Sequence, residues 1–468
     1  MEESYSLIIE YDSGTLILDI IDSRERNAIS LLLEPYIVWD KRIEKYRAYA
    51  FLYKEIILTL HEKKIHYLDK AKNYNKKVFT NHSNITPRDY QKEALETWCH
   101  KGRYGVIKLP TGAGKTILAF LAMIKVARST LIHVPTLNLL FQWKSSLENF
   151  FRDEIGLLGG GHYDIKDITV TTYDSALIHV NRLGNRFGFL IFDECHHLPS
   201  ENYKHAAMNS LSPFRLGLTA TPVEEDDKKE LIEKICGKES FSSQISELVG
   251  TTLSNYKVET IEVSMSDEEL SLYESHRKKY LDFLRHSRIN MGHPSGWKRF
   301  LSVSQRSRHG KEAFQSYLMQ KKISYAPKEK IKSIWQILKK HSGDRMIIFT
   351  NDNETAYDIG RCYFLPVMTH KTKPKEREFI LKAFKSGEYT VIVTSRVLNE
   401  GVDVPEANIA VIVSGTGSTR EHVQRLGRIL RPKESSKLAI LYELISRKTN
   451  ERHVSQRRRE HDAYKGFT

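Results

Sequence analysis

The sequence predicts an α/β protein with two parallel sheets in tandem, a small α+β region ahead of them and a basic helical insertion between them. Three observations carry that expectation. Short unbroken apolar runs recur between helix-length segments in two separate sets. A glycine-rich loop, Leu109 to Thr116, directly follows the apolar pair Val106-Ile107 and precedes a helix-like apolar stretch. The segment from Leu270 to Lys322 holds twelve Lys or Arg against three Asp or Glu, most of the chain's excess charge of +14. Continuous rather than alternating apolar runs fit strands covered on both faces, the condition of a parallel sheet.

A length of 468 residues with 40% hydrophobic content suits about three ordinary domains. The positive charge favours a polyanionic partner, either nucleic acid or an anionic membrane surface. No apolar run approaches the roughly 18 residues of a membrane span, and Met-Glu-Glu at the start lacks a leader's basic flank and apolar core. No membrane association is therefore expected, and the charge is assigned to nucleic acid. Cys99, Cys195, Cys236 and Cys362 have no paired spacing, which argues against a disulfide framework or zinc knuckle and for a reducing, intracellular setting such as cytoplasm or nucleoid.

In order, residues 1–80 are expected to form the first region. Alternation through Leu7 to Leu18 predicts a hairpin turning at Asp12-Ser13-Gly14. Trp39 to Tyr53 mixes aromatic and basic residues, a composition equally suited to gripping nucleic acid and to packing aromatics inward. Lys70 to Lys77 is polar and basic, and a linker is expected from there toward Pro87. Residues 81–245 carry a helix opening at Arg88 and apolar runs at Thr130 to Val134, Ile168 to Thr172, Phe187 to Phe192 and Leu216 to Leu218. Residues 260–325 form the basic insertion, with Leu270, Tyr273, Tyr280, Leu281 and Leu284 as its apolar stripe. Residues 326–447 carry the second set of runs, at Met346 to Phe349, Thr390 to Val393, Ile409 to Val413 and Leu438 to Leu441, and 448–468 form a basic tail.

The loop's chemistry follows from its residue types. In Thr111, Gly112, Ala113 and Gly114 the glycines let backbone N–H groups turn toward phosphate oxygens, and the next helix adds partial positive charge. Lys115 reaches the β/γ-phosphates of ATP, and the Thr116 hydroxyl a Mg2+ ion. The strict pattern has glycine where this chain has Leu109. Asp193 and Glu194 end a buried apolar run, where ligands of parallel sheets bind. Asp193 is expected to hold the metal, and Glu194 to orient and deprotonate the attacking water. His196, Thr219 and Thr221 are placed to couple nucleotide state to neighbouring loops. The Gln91 amide suits the two-pronged edge of adenine. From the second set come Gly401 and Asp403, then Gln424, Arg428 and Arg431, whose guanidinium groups can stabilise charge on a transferring phosphoryl group. Lys298, Arg299, Arg306 and Arg308, with Thr136, Thr172 and Thr350, are candidate nucleic-acid contacts.

The order and spacing of Gln91, Leu109 to Thr116, Asp193 to His196, Thr219 to Thr221, Ile347 to Thr350, Gly401 to Asp403 and Gln424 to Arg431 resemble those of superfamily 2 helicases. Within that superfamily the sequence is similar to the XPB family in its short archaeal form. The closer likeness lies in Arg88-Asp89-Tyr90-Gln91, Asn185-Arg186-Phe187, Pro213 to Thr221, Gln424 to Pro432 and Leu441 to Arg447. The resemblance implies two RecA-like domains closing on ATP, Arg88 among the nucleotide contacts, a damage-recognition-like domain over Trp39 to Leu60, and a thumb-like insertion. It also implies duplex or forked DNA as the track, 3′ to 5′ movement in excision-type repair or transcription-linked opening, and a structure-specific nuclease as partner. One departure is Glu224-Glu225-Asp226, where the family has Arg-Glu-Asp, a triplet tied to strand separation. Two other readings stay open: an RNA-directed helicase or restriction or recombination motor, and an ATP-switched nucleic-acid-binding scaffold.

Overall fold

The expected hairpin opens the chain: β1 (Leu7–Asp12) pairs antiparallel with β2 (Thr15–Ile20). Their two-residue turn places Ser13 and Gly14 at φ of 48° and 92°. A left-handed pair matches the twist of the flanking strands, which explains a Ser-Gly turn here. The computed structural model describes residues 5–83, 85–220, 225–243, 256–293, 295–395, 407–414, 439–452 and 455, in two units, Met1–Gln244 and Ile245–Thr468.

In the first unit, β3 (Val38–Asp40), β4 (Lys45–Tyr49) and β5 (Tyr67–Asp69) complete a five-stranded sheet of order β3-β4-β2-β1-β5. Helices α1 (Arg26–Leu33) and α2 (Tyr53–Glu62) cover one face, burying Ile29, Leu33, Ile56 and Leu60 against Leu7, Ile9, Leu16 and Leu18. The two readings of Trp39 to Tyr53 divide between its residues. Phe51 and Tyr53 are buried, while Trp39 and Tyr49 stay exposed. The segment expected as a linker is instead laid against the following sheet. Asn73 N–H donates to the Asn185 carbonyl, Lys77 N–H to the Ala127 carbonyl, and Lys77 Nζ pairs with Asp153 at 2.9 Å. Polar composition does not distinguish a free tether from a strap whose main chain is paired.

An eight-stranded sheet follows, from β6 (Tyr104–Lys108), β7 (Thr130–Val134), β8 (Ile155–Gly159), β9 (His162–Asp164), β10 (Ile168–Thr172), β11 (Phe189–Asp193), β12 (Phe214–Thr219) and β13 (Glu239–Ser242). Its order is β13-β6-β12-β11-β7-β10-β8-β9, parallel throughout except for the β8–β9 pair. The connecting helices are α3 (Asp89–His100), α4 (Lys115–Val126), α5 (Leu137–Phe151), α6 (Tyr173–Leu183), α7 (Lys204–Met208) and α8 (Asp226–Cys236). Every residue of β7, β10 and β11 is buried, His133 and the threonines of β7 and β10 included, as strands covered on both faces require. In the register of neighbours β6, β12 and β11, Lys108 lies beside Thr219, and Leu218 beside Asp193. The C-terminal ends of these strands therefore bring three motifs together.

In the second unit a six-stranded, all-parallel sheet has the order β14-β19-β18-β15-β17-β16. Its strands are β14 (Tyr256–Val263), β15 (Met346–Phe349), β16 (Val367–Met368), β17 (Val391–Thr394), β18 (Ile409–Ile412) and β19 (Ala439–Ser446). Helices α9 (Asp267–His286), α10 (Gly296–Ser304) and α11 (Arg308–Tyr325) form the basic segment, and α12 (Lys328–Lys340), α13 (Asn353–Tyr363) and α14 (Pro374–Ser386) accompany the sheet. The range 260–325 thus opens inside a strand, and its helices start at Asp267. Polar residues alternating in Tyr256–Val263 hid that strand from a search for continuous apolar runs.

Within the basic segment, Tyr273, Tyr280 and Leu284 of the expected stripe are buried, the last two in a cluster with Ile289 and Phe300. Ser266 and Glu269 form a reciprocal cap at the start of α9, worth about 1 kcal/mol. Both stems meet at Ser446, which pairs with Val263 in the sheet and donates its hydroxyl to the Ser324 carbonyl at 2.6 Å. Lys330, wholly buried, donates to the Val413 carbonyl at 2.8 Å and to Glu451 Oε2 at 2.7 Å.

Candidate active site

The phosphate loop turns on Gly112 and Gly114, at φ of 86° and 74°, before α4 begins at Lys115. Leu109 is absent from the positive-φ positions and buries its side chain, so a leucine fits where the strict pattern has glycine. Gln91 is 3% exposed, and both ends of its amide are engaged: Nε2 donates to the carbonyls of Ala113 (3.3 Å) and Gly114 (3.1 Å), and Oε1 accepts from Arg88 N–H. In this structure the amide braces the loop, because a buried amide has to be satisfied where it lies. Tyr90 adds a second brace, its hydroxyl donating to the Ala113 carbonyl at 2.6 Å, and Arg88 reaches that hydroxyl at 3.3 Å.

Lys115 Nζ lies 3.6 Å from Glu194 Oε1 and 3.4 Å from the Leu109 carbonyl. Glu194 holds φ of 50°, a left-handed conformation that a side chain adopts at some cost and that recurs at functional sites. His196 Nδ1 stands 3.3 Å from Glu194 Oε2 and 3.1 Å from Thr219 Oγ1, which brings two of the three expected coupling residues together. Burial, and then the neighbouring Glu194 charge, push the Asp193 carboxyl up to about 6, against Lys115 and the hydrogen bond from Trp143. That bond runs from Trp143 Nε1 to Asp193 Oδ2 at 2.9 Å, while Oδ1 accepts from Glu194 N–H. The Tyr173 hydroxyl donates to the Asp193 carbonyl at 2.9 Å.

The donor set fits a nucleotide. The Thr111 hydroxyl is buried without a partner among the described residues, beside backbone turned by two left-handed glycines and the start of a helix. Magnesium is commonly held by one or two protein oxygens together with phosphates and water. Thr116, the second residue of α4, and Asp193 suit that pattern, and the described residues hold no cluster of three or more His, Cys, Asp or Glu of the kind an all-protein metal site needs. Thr221, Gly401, Asp403, Gln424, Arg428 and Arg431 lie outside the described residues.

The candidate nucleic-acid contacts fall in three places. Thr136 caps α5, its hydroxyl accepting from Leu139 N–H, and Thr172 caps α6, accepting from Ser175 N–H. Thr350 is wholly buried, with its hydroxyl donating to the Asp352 carbonyl at 2.7 Å. Lys298, Arg299, Arg306 and Arg308 are all exposed, on α10, in the turn after it and at the start of α11. The sequence does not mark Trp143 or Tyr173, since an aromatic at an apolar helix position reads as ordinary core.

Three family matches span much of the chain. Residues 9–71 match the Xeroderma pigmentosum group B helicase damage recognition domain, 84–224 the type III restriction enzyme res subunit, and 311–468 the ERCC3/RAD25/XPB C-terminal helicase. The DNA 3'-5' translocase XPB2 of Sulfurisphaera tokodaii is 39% identical over 434 residues, which cover 91% of this chain and 96% of that protein. The chain belongs to the XPB family. A longer XPB relative, the DNA 3'-5' helicase XPB of Mycobacterium tuberculosis, is 29% identical over 81% of this chain, which spans 64% of that protein. Among solved structures, the Pyrococcus furiosus Hef helicase domain superposes with a TM-score of 0.52 at 19% identity, over 79% of this chain and 97% of that one. Saccharomyces cerevisiae Dbp5 bound to RNA and ADP BeF3 superposes with a TM-score of 0.57 at 14% identity, over 82% of this chain and 89% of that one. At these identities the two structures bear on fold alone. With the XPB matches they establish the expected α/β architecture of two RecA-like parallel sheets behind a damage recognition domain.

Proposed function

We propose that this XPB-family chain is a DNA-stimulated ATPase that moves 3′ to 5′ along DNA and opens it for repair or transcription. The observation that carries the reading is the approach of Lys115 to Glu194, 3.6 Å apart across a glycine cradle in a chain of this family. ATP entering the cradle offers Lys115 phosphate oxygens in place of the Glu194 carboxylate. Glu194, released from that ion pair, then orients the attacking water and takes its proton. Thr116 and Asp193 are the residues that would hold a magnesium ion, which would supply positive charge to the phosphate oxygens. Gln424, Gly401, Asp403, Arg428 and Arg431 are assigned to the same ATPase cycle from their sequence motifs alone.

The finer features of the proposal follow from the sequence. Glu224 stands where family members carry arginine and would repel a phosphate that an arginine attracts, so translocation is favoured over strong strand separation. A structure-specific nuclease is the proposed partner, and four free thiols support an intracellular setting. Steady-state ATP hydrolysis by the wild type and Glu194→Gln, without nucleic acid and with duplex DNA, forked DNA or RNA, tests the reading. Glu194-dependent stimulation by DNA and not RNA supports it. Stimulation by RNA alone, or turnover independent of Glu194, overturns it.

A further inference from the structure

Two helices reach Asp193 in the same manner. Helix α5 follows β7, which pairs with β11, the strand that ends in Asp193; helix α6 follows β10, on the far side of β7. Each helix begins at a threonine that is a candidate nucleic-acid contact, Thr136 for α5 and Thr172 for α6. From each, one buried aromatic donates to Asp193. Trp143, two turns beyond Thr136 and on the same helical face, gives its indole N–H to Oδ2; Tyr173, next to Thr172, gives its hydroxyl to the main-chain carbonyl, both at 2.9 Å.

Packing alone does not dictate where the Trp143 donor points. An indole can pack against Phe120 without meeting a carboxylate, yet this one is 2% exposed with its single donor aimed at Asp193. The Asp193 carboxylate is tied onward, since Oδ1 accepts from Glu194 N–H at 3.1 Å. A shift of either helix is thus delivered to both acidic residues, because close-packed interiors transmit displacement rather than absorb it.

We propose that Trp143 and Tyr173 are positioning residues that carry nucleic-acid occupancy at Thr136 and Thr172 to Asp193 and, through it, to the aim of Glu194. Phosphate drawn to the starts of α5 and α6 moves these helices, and the two aromatic donors move Asp193 with them. The inference rests on the ATPase reading above and adds to it the route by which DNA accelerates turnover.

The test compares Trp143→Phe, Tyr173→Phe and, as control, Trp98→Phe. In the control an equally buried indole donates to the Arg215 carbonyl at 3.0 Å, away from the acidic pair. ATP hydrolysis is measured with and without saturating duplex DNA, alongside DNA affinity. Trp143→Phe is expected to reduce the ratio of stimulated to basal rate about tenfold, the weight of one hydrogen bond to a charged group, with less than about twofold change in DNA affinity. Tyr173→Phe, which loses only a hydroxyl, is expected to reduce it less, and Trp98→Phe to leave it unchanged. In addition, the Trp143 indole N–H resonance, assigned by its disappearance in Trp143→Phe, shifts when DNA is added without nucleotide. Equal losses from basal and stimulated rates in both test variants, or an indole resonance indifferent to DNA, overturn the coupling while leaving the ATPase intact. A wild-type chain that hydrolyses ATP but gains nothing from DNA overturns both.

Discussion

His196 Nδ1 and Thr219 Oγ1 stand 3.1 Å apart, linking the turn after β11 to the end of β12, with Glu194 Oε2 within 3.3 Å of the same nitrogen. One imidazole therefore reads two strand ends at once. His196→Ala and Thr219→Val are each expected to lower the turnover number about tenfold with the KM for ATP changed less than threefold. The double variant should be no worse than the poorer single, because both changes break one link. Losses that multiply would show that the two residues act separately.

Lys115→Ala removes the cation that faces both the cradle and Glu194. Turnover is expected to fall by a factor of about 10³ or more, with DNA binding within about twofold of wild type. Glu194→Gln, by contrast, should retain nucleotide binding while losing a comparable factor from hydrolysis. Fluorescent-nucleotide titration and single-turnover hydrolysis on both variants separate the two roles.

Gln91→Leu leaves the Ala113 and Gly114 carbonyls without their shared donor. The expected result is a loosened loop, with nucleotide affinity down about tenfold and stability down by about 1–2 kcal/mol. Gly114→Ala tests the same contact from the other side. A Cβ there would meet Gln91 Nε2 at 2.6 Å in a left-handed conformation, and the expected loss of nucleotide affinity is at least as large. Calorimetric titration with ADP measures both.

His133, at 1% exposure, stacks on Phe192, and burial pushes its imidazole down to about 3. The unfolded chain takes up that proton near pH 6.5. Between these values the unfolded state binds more protons than the folded one, so stability is intact above about 6.5 and falls as acid is added, by up to about 1.4 kcal/mol per pH unit. His133→Phe should flatten this limb between pH 6.5 and 4. Urea unfolding at stepped pH would show the difference, and parallel curves for the two proteins would refute it.

Four exposed cations, Lys298, Arg299, Arg306 and Arg308, predict a salt dependence. If each neutralises one phosphate of duplex DNA, replacing all four with glutamine reduces the slope of log affinity against log salt by about 3 to 4. An unchanged slope would assign the grip to other residues.

How much of this was legible in the sequence varies with the kind of signal. The phosphate loop, Asp193-Glu194 and the strands at Thr130–Val134 and Ile168–Thr172 follow from residue types with few alternatives, and the structure places the first two side by side. Strand β14 was hidden because its polar residues break the apolar run. The Gln91 amide was assigned to a ligand because its chemistry suits one, whereas its place in the fold is decided by the two carbonyls it satisfies. Trp143 shows the limit most clearly: nothing local marks its N–H, since its acceptor lies fifty residues away on another strand.

Ser446 has a meaning beyond its hydrogen bonds. Because Val263 pairs with it and the Ser324 carbonyl accepts its hydroxyl, the way into the basic helices and the way out of them converge on one residue at the C-terminal end of β19, the strand beside the sheet's edge. A segment whose ends meet in this way is a cassette. Its length and sequence can diverge, or be exchanged by design, without altering the order of the strands that frame it. Evolution has here a place to refit a dense patch of positive charge while the sheet beneath stays as it is.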